Sequence, residues 1–411
     1  MRKTLTTFVA ALLFCLALCA QPSGHDRYGV NTHVYEFLPE TDTPAPAGYK
    51  PVYLSHYGRH GSRTEASTDG KSYNYLIKVF STAQAEGLLT AQGDSLYSEI
   101  RRVNDAYQAG IGALTQRGVA EHKELARRIY KRYKPVFKRG SKFVRVESST
   151  TPRCIVSMAS FMSSLCSEQG DLRYSMESGA RTDEYIRKAY QSDLKGKVMP
   201  QCNKISAAIV VDTVSVLGTL FTDPDAARAI AGSAHQLQYK IFQCACEGLA
   251  CGVQEDMFRY LPEDVCRKWW SYRIRSVYMR NGNSVEYGDY RMENSRALAA
   301  AMLTQAAEAL ESGAVAADLK FGHDYPLLGL VSWFGLEGVG ERLGWDDLPE
   351  KWSDPMNIPF ASNMQFVVYR KKGSPDLVKF VYNGVERKLG KLTPVSGPYY
   401  LWDDVKLEYM P

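Results

Sequence analysis

The chain has 411 residues, 45% of them hydrophobic and 23% charged, the composition of a globular protein long enough to bury one large core or two smaller ones. No internal repeat or low-complexity tract interrupts it, which excludes solenoid and fibrous architectures. The formal net charge of +5 falls to +3 when Arg2 and Lys3 of the first twenty residues are removed, an excess that does not argue for nucleic acid and suits an anionic small substrate.

The chain opens on Arg2 and Lys3, followed by an almost unbroken apolar run over residues 8–19 and then polar Gln21-Pro22-Ser23. This pattern predicts a secretory signal peptide over residues 1–20; the run is too short for a comfortable bilayer span. Lipid attachment at Cys19 is the alternative, disfavoured by bulky Leu18. No later segment reaches transmembrane length, so the mature protein is expected to be soluble and exported, periplasmic or extracellular. Export permits disulfides. Seven cysteines remain after the leader (Cys154, Cys166, Cys202, Cys244, Cys246, Cys251, Cys266), an odd number that leaves at least one free thiol. At most two or three bridges are expected, with no pairing assigned. Cys244, Cys246 and Cys251 lack a convincing second ligand pair for zinc, and no metal or cofactor is expected.

Residues 21–50 read as an irregular leader with Pro39, Pro44 and Pro46. A short buried strand is predicted over 52–56, with a loop over 58–63. Residues 72–112 mix helical periodicity with turn residues. Leu114-Thr115-Gln116-Arg117-Gly118 precedes a helix over 119–133, with Thr115 as its N-cap. The basic stretch 122–142 reads as the solvated face of that helix. Residues 142–147 alternate as a strand, then a polar loop leads into a helix over 154–165. Residues 170–310 are helix-rich with few strand signals, and the Ala-rich stretch 294–311 predicts a helix capped by Asn294. A strand over 316–321 ends at Gly322-His323-Asp324, and a helix follows over 325–334 with Pro326 in its first turn. Strands over 364–370 and 377–382 flank the turn residues Gly373-Ser374-Pro375-Asp376. Strands alternating with helices predict an α/β fold: a leader at 1–20, a first core part at 21–165, a helix-rich cap insertion at 166–295 and a second core part at 296–411.

Tyr57-Gly58-Arg59-His60-Gly61-Ser62-Arg63 is the most informative stretch. An imidazole attacks phosphorus and holds the phosphoryl group covalently. Guanidiniums match phosphate oxygens as permanently charged bidentate donors, and glycine lets backbone approach the anion. Taken alone, the stretch also fits a surface loop with solvated arginines. However, Arg153 and His323-Asp324 also fall just after predicted strands, where α/β sheets bind their ligands. Singly, His323 fits a core histidine, Asp324 a helix N-cap and Arg153 a surface residue; jointly these readings weaken. His56 reads as a packed histidine.

With these residues in place, the chain resembles the histidine acid phosphatases, the phytase-containing branch of the histidine phosphatase superfamily. The resemblance rests on Arg59-His60-Gly61-Ser62-Arg63, Leu114-Thr115-Gln116-Arg117-Gly118, Ser149-Thr150-Thr151-Pro152-Arg153 with Ser157-Met158-Ala159-Ser160-Phe161, His323-Asp324 and Val381-Tyr382-Asn383-Gly384. It implies a phosphoglycerate-mutase-like α/β core with an inserted cap. It implies His60 as nucleophile, Asp324 as general acid, and Arg59, Arg63, Arg153 and His323 as phosphate ligands. The implied partner is a phosphorylated small molecule, inositol polyphosphates first, and no nucleic acid. Glu65 stands where the family commonly has proline. The His-Asp pair follows the bacterial and fungal phytases, whereas Tyr28-Gly29-Val30 and the context of His60 resemble the multiple inositol polyphosphate phosphatases. Arg181, Arg187, Lys188, Lys195, Lys197, Arg273, Arg275 and Arg280 are candidates to grip further phosphates. The alternatives are a general acid or sugar phosphatase, a non-catalytic phosphate-ligand binder, which has no need of Asp324, and a phosphotransfer mutase, which export disfavours.

Overall fold

The computed structural model describes residues 27–66, 71–187, 192–209 and 213–410; the leader expected at 1–20 lies outside them. Among the described residues, eight strands form one sheet: β1 (Lys50–Arg59), β2 (Phe143–Ser148), β3 (Arg173–Ser178), β4 (Ala317–Gly322), β5 (Asn363–Arg370), β6 (Leu377–Tyr382), β7 (Val385–Arg387) and β8 (Tyr400–Leu401). The order is β3-β2-β4-β1-β5-β6-β7, with β8 on β6. The strands β3, β2, β4 and β1 run parallel, and β5 onward is antiparallel.

A strand covered on both faces must be buried along its length. Every residue of β4 is buried, as are Tyr53–Arg59 of β1. Tyr53 and Tyr57 point into one helical layer and Leu54 into the other, as the two-residue period of a strand requires. On Leu54's side the helices Gln116–Arg132 and Pro152–Glu168 pack together. On the opposite side Gly288–Ser312 packs on Asp324–Phe334. The result is the expected α/β core, a sheet flanked by helices. A further apolar core, away from the sheet, joins the helices Lys71–Ala85 and Ala91–Tyr107 to Pro224–Ala231, Ala234–Gly248 and the start of Glu263–Asn281. The helices Lys71–Ala85 and Ala91–Tyr107 and those of the expected insertion therefore share one core. Among the described residues no helix is long and apolar enough to cross a membrane.

Several local expectations are corrected. The first strand continues to Arg59, so Gly58 and Arg59 belong to it rather than to the loop. β3 lies inside the helix-rich stretch; its residues Arg-Tyr-Ser-Met-Glu-Ser are nearly all exposed at the sheet edge, and Leu172, Tyr174 and Met176 give only a short alternation, too brief to stand out among the helical segments. The Ala-rich helix starts at Gly288, so Asn294 is an interior residue and not its cap. No disulfide joins any of the seven cysteines after the leader, all of which are among the described residues.

Register places the site. Arg59 of β1 lies opposite Gly322 of β4, and Phe321 opposite Ser148 of β2. The carboxyl ends of the three parallel strands are thus level. Gly58 also lies opposite Asn363, which brings the chain entering β5 to the same edge.

Candidate active site

His60 follows β1 directly and is 2% exposed. Its N–H bonds to the carbonyl of Gly322 (2.9 Å) and its carbonyl accepts from Ala361 (2.9 Å), so backbone on both sides fixes it. The ring Nδ1 lies 2.9 Å from the carbonyl of Gly61. A carbonyl only accepts, so Nδ1 carries the hydrogen and Nε2 keeps the lone pair. Burial, then the charges of Arg153 and Arg59, His323 and Arg63, push the ring's proton affinity well below that of free histidine. His60 is therefore a neutral imidazole whose basic nitrogen is not the one tied to the backbone.

The loop after His60 is held from behind. Gly61 donates to Ser157 Oγ (3.2 Å), and Ser62 donates its N–H (2.7 Å) and hydroxyl (2.6 Å) to the two oxygens of Glu121. The Ser62 carbonyl accepts the N–H (2.9 Å) and hydroxyl (3.1 Å) of Thr115, whose side chain also caps the helix by accepting from Gly118. The contact needs two glycines: a Cβ on Gly61 would lie 2.6 Å from the Gly118 oxygen, and one on Gly118 would lie 2.3 Å from the Ser62 oxygen.

Three guanidiniums surround His60. Arg59, 1% exposed, donates to the carbonyls of Ile358 (3.0 Å) and Asn31 (2.7 Å). Arg63 donates to its neighbour's carbonyl, Thr64 O (2.7 Å), and has Glu247 Oε1 at 3.7 Å. Both lie over the ring of Phe360, at 4.7 and 5.5 Å from its centroid, a cation–π arrangement that holds the two like charges side by side. Arg153, at the start of its helix, has a buried Nε without a hydrogen-bond partner. Burial and the charge of Arg63 make its proton less firmly held than usual. These are the marks of cations gathered before an anion arrives.

His323 follows β4. Its ring lies edge-on to His60 (5.6 Å between centroids) and stacks on Tyr325 (5.5 Å). Its N–H donates to Tyr57 Oη (3.1 Å), which in turn donates to the carbonyl of Ile186 (3.2 Å). Burial and the arginines lower its pKa to about 3, so it too is neutral, and its Nδ1 has no partner within the protein. Asp324 is the first residue of the next helix, with His323 at the cap position. One carboxylate oxygen accepts from Asn31 Nδ2 (2.9 Å) and lies 3.4 Å from Arg59 Nη2; the other accepts the N–H of Tyr325 (2.9 Å). Burial raises its pKa, but Arg59, Asn31, His323 and Arg63 together more than reverse this, to about 2.

All six residues expected at the site thus meet at one sheet edge. The structure adds Asn31, Phe360, Tyr57, Ser157 and Glu121. Of these Tyr57 and Ser157 lay in stretches visible in the sequence; Asn31, Phe360 and Glu121 stand in no recognisable pattern. The expected basic side chains divide. Arg273 donates to Gly29 O (2.9 Å), Thr32 Oγ1 (3.1 Å) and Asn31 Oδ1 (3.4 Å), anchoring the loop that carries Asn31. Arg275 bonds Ser271 and the carbonyl of Leu348, Arg280 the carbonyl of Ser276 (2.6 Å), and Arg181 pairs with Glu177. Lys195 and Lys197 are exposed, and Lys188 lies outside the described residues. The charge of the exposed Arg187 is felt at both Arg153 and His323. Glu65 is buried beside Glu247, and His56 packs between Phe161 and Phe321.

The family model of the histidine phosphatase superfamily (branch 2) matches residues 58–226. No curated protein matches the sequence. Solved structures do: the Bifidobacterium longum multiple inositol polyphosphate phosphatase in complex with inositol hexasulfate is similar at a TM-score of 0.74 and 16% identity, over 92% of this chain and 97% of that one. The phytase from D. castellii gives 0.68 and 15%, over 95% and 87%. The Citrobacter braakii phytase gives 0.54 and 12%, over 88% and 97%.

Proposed function

We propose that this chain, a histidine-type phosphatase belonging to branch 2 of the histidine phosphatase superfamily, is exported and hydrolyses inositol polyphosphates through a phosphohistidine on His60. The observation that carries the reading is the tethered Nδ1 of a neutral, buried His60, with its other nitrogen available among Arg59, Arg63 and Arg153. Nε2 attacks phosphorus, the N–P bond forms and the ester P–O bond breaks. The guanidiniums and the ring of His323, whose Nδ1 has no partner within the protein, hold the three equatorial oxygens, whose charge they stabilise more in a buried site than in water. The leaving alkoxide takes a proton from Asp324. Water then attacks the phosphohistidine, Asp324 takes the water's proton back, and phosphate and neutral His60 are released.

Asp324 is ionised in the free site. A bound phosphate offsets the arginine charges that hold it so, and raises its pKa toward the working range. Protonated Asp324 is lost as pH rises, so activity on poor leaving groups falls toward alkaline pH. The charge neutralisation this route needs comes from guanidiniums, so phosphate release should resist EDTA. Inositol polyphosphates are favoured because Arg187, from the helix-rich cap proposed over 166–295, adds positive charge beside the core ligands, and because the resemblance in sequence points there. Export rests on residues 1–20.

The test is phosphate release by the mature protein from inositol hexakisphosphate and from an aryl phosphate, with and without EDTA. Strong EDTA-resistant release from the inositol ester supports the reading. Release from the aryl ester alone makes this a general acid phosphatase, and full activity in His60→Ala overturns the mechanism.

A further inference from the structure

Asn31 sits in a three-residue 3-10 turn, Val30–Thr32, that the sequence gives no reason to place near the site. The turn is built at some cost. Val30 adopts a φ of +55°, a left-handed conformation that a β-branched side chain rarely tolerates. Its side chain is buried in the main core, and Thr32 closes the turn onto Gly29 O through its N–H (2.9 Å) and hydroxyl (2.8 Å). Arg273, reaching from the helix Glu263–Asn281, clamps it from the far side. The clamp also orients the Asn31 amide. A guanidinium only donates, so the amide oxygen faces Arg273 and the nitrogen faces Asp324. The Asn31 carbonyl meanwhile accepts from Arg59 (2.7 Å). One residue therefore holds both the proposed acid and a proposed phosphate ligand.

We propose that Asn31 is the positioning residue for the leaving-group proton, pinning Oδ2 of Asp324 as an acceptor so that Oδ1 carries the proton to the substrate. This rests on Asp324 as general acid. Oδ2 receives the amide N–H and faces the Arg59 charge, whereas Oδ1 receives only the N–H of Tyr325. A proton placed on Oδ2 would meet the amide N–H and the Arg59 charge; on Oδ1 it meets only the N–H of Tyr325 and leaves both contacts of Oδ2 intact. The other groups acting on Asp324 are Arg63, Arg153, His323, Tyr57 and Tyr325, and the Asn31 variants below leave all of them in place. Without the amide, the ionised carboxylate loses a donor and its proton affinity rises.

The experiment compares wild type, Asn31→Ala, Asn31→Asp and Asp324→Asn on glycerol 2-phosphate, whose alkoxide needs a proton to leave, and on 4-nitrophenyl phosphate, whose phenolate does not. For Asn31→Ala the expected result is a fall in kcat of about tenfold on the alkyl ester, little change on the aryl ester, and an upward move of about one pH unit in the descending limb of kcat. Asn31→Asp, isosteric but unable to donate when ionised, should move the limb the same way and serves if the alanine variant fails to fold. Equal losses on both esters with an unmoved limb would overturn the proposal. If Asp324→Asn itself shows no preference for the aryl ester, the acid assignment fails instead, and the two failures are thereby told apart.

Discussion

Gly61→Ala puts the geometry around His60 under direct strain. The added Cβ would lie 2.6 Å from the Gly118 oxygen, 2.7 Å from its Cα and 3.0 Å from Glu121 Oε2. Carbon contacts settle near 3.5–4.0 Å, so loop and helix must part by roughly 0.8 Å. The atoms in the way are backbone, and the helix start is pinned by Thr115, which both caps it and bonds Ser62 O. The displacement therefore falls on the loop and on His60. Overpacking of this kind costs about 1–3 kcal/mol, which leaves a protein of this size folded. A nucleophile misplaced by about 1 Å loses on the order of 100-fold in rate. The variant should thus melt at somewhat lower urea yet lose about two orders of magnitude in kcat, read by initial rates and a urea titration on the same preparation. Gly118→Ala presses on the same loop from the other side, so the double variant should cost less than the sum of the two. An alanine at 61 with unchanged kcat would refute the claim that this close approach sets the position of the nucleophile.

Other expectations follow from buried groups. His56 and His122 are fully buried, and burial lowers both pKa values to about 3. Unfolded histidine titrates near 6.5, so the unfolded chain binds more protons as pH falls below that value. Their stabilising contribution is whole above pH 6.5 and drains away toward pH 3, by up to about 1.4 kcal/mol per pH unit for each ring. Urea midpoints should therefore drop clearly between neutral and mildly acidic pH; a flat profile would contradict their burial as neutral rings. Tyr57→Phe removes the acceptor of the His323 N–H, and should cost about 1–3 kcal/mol in denaturant titrations together with part of kcat; unchanged stability would show that the hydroxyl does not hold the end of β4. Asp324→Asn should lower kcat on an alkyl ester by about 100-fold or more, and undiminished turnover would remove the proton-donor role.

The site was legible where its residues follow apolar strands in short loops. Arg59-His60, Arg153 and His323-Asp324 each stand within a few residues of a β-strand end, and a parallel sheet brings such ends level whatever the length of chain between them. Thr115 could be read as a cap because capping is local. What escaped was contact between distant segments. Asn31 reaches Asp324 across 293 residues of sequence, from an irregular turn without periodicity. Phe360 is one aromatic among many until the fold lays two guanidiniums on it. β3 is a short edge strand whose alternating Tyr174 and Met176 are exposed, too brief a pattern to stand out in a helix-rich stretch. Arg273 looked like a candidate substrate ligand by charge alone; its three bonds to the turn at 29–32 give it a structural task, which no count of basic residues reveals.

The most direct test of the account is rapid quenching with a radiolabelled phosphomonoester. A phosphoryl group bound at His60, stable to alkali, labile to acid and missing from His60→Ala, is the predicted result. Turnover with no labelled protein, or label on another residue, would contradict it.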